Sequence, residues 1–209
     1  MNSKPTQEEI ADYFLIDGVI RLFHDEKQSP WAQIKDEGTL KTISCSSGNF
    51  QLFCRKAIYD KWNFNPTREV LKNVVDFLKS TAVFGPFEHK LHNRIAWSDD
   101  KIVYDLVNKE WTHVEITESS WEIPVHKGDI LFKRYGHNKP QVTPLNGDEL
   151  DVKKILNYVN ITDEDQKILF LVWVVSCFIA DIPHPLAYVY GPQGSAKSTI
   201  SRVAKELID

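Results

Sequence analysis

The chain has 209 residues, 42% of them apolar and 26% charged, and a formal net charge of −4. These are ordinary values for a soluble globular protein of one or two domains with a real core. They exclude a strongly basic nucleic-acid platform spread over the whole surface, though not a local basic patch.

Cys45, Cys54 and Cys177 are far apart and show no metal-ligand spacing. The stretch Met1 to Glu9 is polar and acidic and does not read as an export signal. Reduced thiols and a cytoplasmic location are therefore expected. The apolar run Ile168 to Ala180 is about 13 residues long, whereas a membrane span needs roughly 20. A buried core helix is expected there, and no membrane partner.

In chain order, Glu9 lies three residues after Thr6, a capping-box spacing. Ile10, Phe14, Leu15, Val19, Leu22 and Phe23 then recur at helical period, so a helix is expected over about 7 to 23. Leu40, Thr42, Ile43 and Cys45 suggest a short strand, and Gly48-Asn49 a turn. Phe50, Phe53, Cys54, Ala57, Ile58 and Trp62 give a second amphipathic helix. Asn65-Pro66 is expected to start a third, with Val70, Leu71, Val74, Val75 and Leu78 as its apolar face.

After Phe87, residues 93–97, 101–107, 111–116, 120–125 and 130–135 read as short strands of an antiparallel meander. Ser98-Asp99-Asp100, Asn108-Lys109 and Ser119-Ser120 are its turns. Trp97, Trp111 and Trp121 are expected in its core rather than on a base-stacking platform. Residues 136 to 148 read as a linker and Asp148 to Asn157 as a short helix. Thr162 and Asp165 are expected to cap the helix that runs through Ala180. Leu186 to Tyr190 reads as an apolar strand leading into a glycine loop.

That loop carries the chemistry. Gly191-Pro192-Gln193-Gly194-Ser195-Ala196-Lys197-Ser198-Thr199 follows the pattern glycine, four residues, glycine, lysine, serine or threonine, with Ala196 in the second glycine position. Glycine-rich backbone lets N–H groups approach phosphate oxygens, and a following helix adds its positive N-terminal end. Lys197 would reach the terminal phosphates, and Ser198 would place a hydroxyl on Mg²⁺. Thr199 is a candidate contact to the first phosphate. If position 196 needs positive φ, alanine costs about 1 kcal/mol there. Ile200, Val203, Ala204 and Leu207 form the apolar face of the expected helix. The plain alternative is a strand-to-helix turn with no ligand.

The stretch Gly191 to Thr199 resembles the P-loop of phage- and plasmid-borne helicase-like ATPases of the primase–helicase type, in which alanine before the lysine also occurs. Leu22-Phe-His-Asp-Glu26 and Tyr104-Asp-Leu-Val-Asn-Lys-Glu-Trp111 are similar to segments of large bacterial and phage proteins with this loop. The resemblance implies that Gly191, Gly194, Lys197, Ser198 and Thr199 bind ATP and Mg²⁺. It also implies hydrolysis coupled to movement on DNA, as a homo-oligomeric ring. Such activity needs a later acidic pair, a sensor and an arginine. Ten residues follow Thr199, so a longer protein is expected to supply them.

Other groupings were weighed beside the loop. Glu88, His89 and His92, with Asp99 and Asp100, are candidate metal ligands, although turn acids are usually solvated. His24-Asp25 is a candidate acid–base pair, but the expected helix C-terminus makes a dipole-favoured histidine the blander reading. Lys127, Lys133, Arg134, His137 and Lys139, near Phe132 and Tyr135, form a local basic stretch suited to phosphates and bases, or a solvated hairpin and linker.

The resulting expectation is an α+β accessory region with an antiparallel meander over 1–140 and a linker and helical connector over 141–183. The strand, P-loop and first helix of an α/β NTPase core would follow over 184–209. The alternative function is a DNA- or partner-binding accessory module whose P-loop is not functional.

Overall fold

The computed structural model describes residues 4–36, 38–98, 100–124, 130–145, 152–180 and 182–208. It is a mixed α+β protein with antiparallel sheets. The chain divides into two compact units, Met1–Asn93 with Gly128–Arg134, and Arg94–Lys127 with Tyr135–Asp209. The division therefore falls inside the stretch 1–140, and the meander belongs with the glycine loop rather than with the N-terminal helices.

In the first unit, α1 (Gln7–Leu15) opens on the expected capping box: Thr6 Oγ1 accepts the Glu9 N–H, and Glu9 Oε2 accepts the Thr6 N–H at 2.7 Å. The helix does not run to residue 23. Gly18 takes φ +69, and Ile20–His24 form strand β1. Ile20 and Leu22, two residues apart, turn to one face, while Phe23 turns to the other. An alternation this short was hidden inside a helical period.

Strands β2 (Pro30–Asp36) and β3 (Thr39–Ser44) complete an antiparallel sheet in the order β1-β2-β3. Ile20 lies opposite Ile34 and Leu22 opposite Ala32. Helices α2 (Gly48–Trp62) and α3 (Arg68–Phe84) pack with α1 on that face. Phe14, Phe50, Ile58, Val75 and Leu78 fill the core between them.

Two helix starts differ from expectation. Gly48 is not a turn but the first residue of α2, because Ser47 caps it through the Phe50 N–H. Thr67, not Asn65, caps α3. Asn65 and Pro66 instead accept two hydrogen bonds from Arg55, which tie the α2–α3 connection to α2.

The β1–β2 hairpin is built around Asp25. Its carboxylate accepts the N–H groups of Lys27 and Ser29 at 2.9 Å and the Trp31 indole N–H at 3.1 Å. Beyond α3, residues 87–89 run along His24, and β4 (Leu91–His92) pairs in parallel with β9 (Leu131–Phe132). The fifth expected strand of the meander is therefore not part of it. Phe23, Leu91 and Leu131 make a small second cluster with Trp31.

The second unit contains the meander proper, β5 (Ile95–Ser98), β6 (Lys101–Asp105), β7 (His113–Ile116) and β8 (Trp121–Glu122), all antiparallel. Tyr104, Leu106 and Val114 form its core, with Trp121 packed against them. Trp97 is half exposed and does not join that core. The turn at Asn108 is held by a two-way pairing with Thr112, at 2.6 and 2.9 Å.

Residues 136–145 have no helix or strand, as a linker would. Expected features at Asp99, Lys127 and 146–151 lie outside the described residues. Val152–Tyr158 is a 3₁₀ helix. Helix α4 (Glu164–Ser176) is capped by Asp163 through the Gln166 N–H, not by Thr162 or Asp165. Among the described residues no helix is long and apolar enough to cross a membrane.

Two predictions follow from this packing. Cys45 and Cys54 are fully buried, and burial pushes the Cys45 thiol up to about 12 and the Cys54 thiol up as well. Only Cys177 should react with a thiol reagent in the native chain at neutral pH; Cys45 and Cys54 should react after denaturation, as counted by mass spectrometry.

Burial opposes the Asp25 charge, but hydrogen bonds from Ser29, Trp31 and Lys27 outweigh it and hold the carboxyl below its ordinary value. A carboxyl lowered in the folded state stabilises above its unfolded value of about 3.9 and loses that effect as pH falls through the folded value. Asp25→Ala should thus cost about 1–2 kcal/mol at neutral pH. The difference from the parent should vanish in strong acid, as measured by urea unfolding.

Candidate functional site

The glycine loop leads into α5 (Lys197–Ile208), and the helix is positioned by its apolar face. Ile200 and Ala204 are buried, and Ile200 packs with Phe170 and Val174 of α4. At the other end, Tyr104 Oη donates to the Ile208 carbonyl at 3.0 Å, and Gln141 Nε2 donates to those of Glu206 and Leu207. Arg94 in turn donates to Tyr104 Oη and to the Lys139 carbonyl. These side chains occupy carbonyls that every helix leaves unpaired at its C-terminus. Sequence alone does not show these contacts, because Tyr104 and Gln141 lie 104 and 65 residues before the carbonyls they reach.

The loop backbone is left-handed at three positions, with φ +147 at Gly191, +84 at Gly194 and +62 at Ala196. Position 196 does take positive φ, the condition under which alanine there costs about 1 kcal/mol. The Ser195 N–H donates to the Pro192 carbonyl, and the Ala196 carbonyl accepts from Thr199 and Ile200, which starts the helix. Gly191 has a second requirement besides φ. A Cβ there would lie 2.7 Å from Ser195 Oγ.

Lys197 folds back over the loop. Its Nζ donates to the carbonyls of Gly191 at 2.8 Å and Pro192 at 2.7 Å, and to Ser195 Oγ at 3.3 Å. An ammonium has three donors, so a phosphate reaching Lys197 would have to replace at least one of these contacts. Gly191, Pro192, Gln193, Gly194, Ala196 and Ser198 are exposed, and Ser195, Lys197 and Thr199 half-buried. The donor set fits an anion: backbone N–H groups at a helix start, an ammonium at the loop centre and a hydroxyl at Ser198.

The expected approach to the loop is not formed. Residues 186–190 make no strand, and Leu186, Tyr188 and Tyr190 are 98%, 86% and 74% exposed. An apolar run becomes a strand only when a neighbour supplies the ladder, and none of the described residues does. Nor is Ile168 to Ala180 a buried helix. Helix α4 stops at Ser176 and buries only Phe170 and Val174, leaving Ile168, Leu169, Val172 and Val175 exposed. Between α4 and residues 185–190 lies a cavity of about 550 Å³, which sequence reasoning did not foresee.

The remaining candidates have local packing roles. His24 ends β1 rather than a helix, and its Nδ1 lies 3.1 Å from the Asp25 carbonyl. His89 stands edge-on to Phe23, and His92 lies against Phe132. No cluster of three or more His, Cys, Asp or Glu suited to a metal occurs among the described residues. In the basic stretch, Phe132 is buried, while Tyr135 is exposed and stacks on His137 with ring centroids 5.5 Å apart. Lys133 and Arg134 belong to the first unit, and His137 and Lys139 to the second.

No protein-family model matches the chain, and a search of curated proteins also found no match.

The Gly191 geometry carries a test. If the loop holds Mg-ATP or tripolyphosphate, Gly191→Ala should lower that affinity about 5- to 150-fold, because the methyl group strains the loop by about 1–3 kcal/mol. Calorimetric titration, with circular dichroism to verify an unchanged helix content, measures it.

Proposed function

We propose that the chain binds the phosphates of a nucleotide, ATP with Mg²⁺, on the loop Gly191 to Thr199. The observation that carries this reading is the combination of three left-handed backbone positions with a lysine centred over the loop and a helix that opens at that lysine. Lys197 would neutralise phosphate charge. The N–H groups of the first turn would hold phosphate oxygens, and Ser198 would meet Mg²⁺. Magnesium would supply charge neutralisation between the outer phosphates. Thr199 would stand against the phosphate nearest the sugar.

The wider role belongs to the same proposal. By its resemblance, the loop serves a helicase-like DNA replication ATPase of a phage, plasmid or other mobile element. That protein would work on DNA as a ring in the cytoplasm. The alternative is a DNA- or partner-binding accessory module with an inactive loop. The exposed Tyr135–His137 stack within a basic stretch favours it, as does the unpaired approach at 186–190.

Titration of Mg-ATP into the chain and into Lys197→Ala separates the two. Binding in the parent that weakens at least about tenfold in Lys197→Ala, with loss of the magnesium requirement in Ser198→Ala, is the expected result. A folded parent that binds no Mg-ATP overturns the nucleotide reading. Salt-dependent binding of single-stranded DNA by that same protein would then support the accessory module.

A further inference from the structure

The cavity between α4 and residues 185–190 has no role in holding phosphates, and its position ties it to the loop. Tyr190 immediately precedes Gly191, and Ile200 immediately follows Thr199; both line the cavity. The chain therefore touches this space on entering the loop and again on leaving it. A ligand held on the loop has only a short distance to span.

Its size and chemistry select the kind of group it takes. About 550 Å³ lies within the range of about 300–1,000 Å³ typical of small-molecule sites. The walls carry aromatic rings: Trp173 on α4, with Tyr188 and Tyr190 opposite in sequence. The two tyrosine rings stack on each other at 5.9 Å with planes 23° apart. Trp173 Nε1 donates to the Pro185 carbonyl at 3.0 Å and so ties α4 to the start of the segment that leads into the loop. Among the described residues no lysine, arginine or histidine lines the space, and one carboxylate, Asp163, does. That lining disfavours a phosphate and suits an uncharged planar ring. Asn160 and Gln166, whose side chains are amides, also line it. An amide offers a donor and an acceptor side by side, the pattern that pairs with the edge of an amino-bearing purine.

We propose that this cavity is the nucleoside subsite of the same ligand and receives the base of a nucleotide whose phosphates lie on the loop. This rests on the phosphate-loop reading. Aromatic faces hold the ring, the amides at 160 and 166 face its polar edge, and Lys197 holds the far end. The two halves are separable, because Leu169 lines the cavity and Lys197 does not.

The test uses Mg-ATP, adenosine and inorganic tripolyphosphate, titrated into the full chain, Leu169→Trp and Lys197→Ala. Leu169 is more than half exposed, so a larger side chain there fills the cavity without overpacking a core. Circular dichroism verifies the fold of each variant. The expected result is that Leu169→Trp weakens adenosine and ATP at least about tenfold and leaves tripolyphosphate unchanged, while Lys197→Ala weakens tripolyphosphate and ATP and leaves adenosine unchanged. Tripolyphosphate and ATP binding equally, with Leu169→Trp altering neither, would overturn the subsite and leave the loop reading standing. Adenosine bound without any Lys197-dependent tripolyphosphate binding would keep a nucleoside site and remove the shared ligand, overturning the proposal as stated. If Leu169→Trp instead abolishes self-association in sedimentation and spares nucleotide binding, the cavity is a protein contact and the proposal fails.

Discussion

Helix α5 is held at both ends, and the shape of the loop before it depends on that. Ile200 sets its first turn against α4, while Tyr104 and Gln141 hold its last carbonyls. A twelve-residue helix is marginal in isolation, because nucleation is costly and little backbone bonding repays it. With both ends fixed, the first turn has a defined place, and the left-handed residues at 191, 194 and 196 are over-determined rather than free. Lys197 adds a local clamp by drawing the Gly191 and Pro192 carbonyls toward its amine.

The same arrangement makes the meander part of the loop's support. Arg94 holds Tyr104 and the Lys139 carbonyl, and Tyr104 holds α5. Arg94 is itself almost fully buried, and these hydrogen bonds offset the cost of taking it out of water. A strain or shift in β6 would be felt at the end of the helix that opens at Lys197. The other side of the loop is different in kind. Residues 186–190 and the outer face of α4 present apolar side chains to solvent, and they bound the cavity beside the loop.

The N-terminal unit is the better packed of the two and follows ordinary rules throughout. Three amphipathic helices cover one face of a small antiparallel sheet, and the hairpin at Asp25 is stabilised by hydrogen bonds to one carboxylate. Its two buried thiols lie within this core, where burial suppresses their ionisation. Nothing in this unit gathers ligands around a charged centre among the described residues. His89 and His92 pack against aromatic rings instead.

Local chemistry made part of this protein legible from residues alone. The capping box at Thr6 and Glu9, the apolar faces of α2 and α3 and four of the five strands expected in the meander all arise between residues close in sequence. So does the candidate loop, whose glycine and lysine spacing is a local pattern. Tertiary structure decided what depends on distant partners. Val19 to Phe23 fit a helical period, yet they became an edge strand because β2 offered a ladder and Gly18 a left-handed exit from α1. Leu186 to Tyr190 had the composition of a strand and found no neighbour among the described residues. Ile168 to Ala180 was apolar on all sides, but only one face of α4 met other side chains. Pairing and burial are relations between segments, so a periodicity can propose them but only the folded chain can supply the second partner.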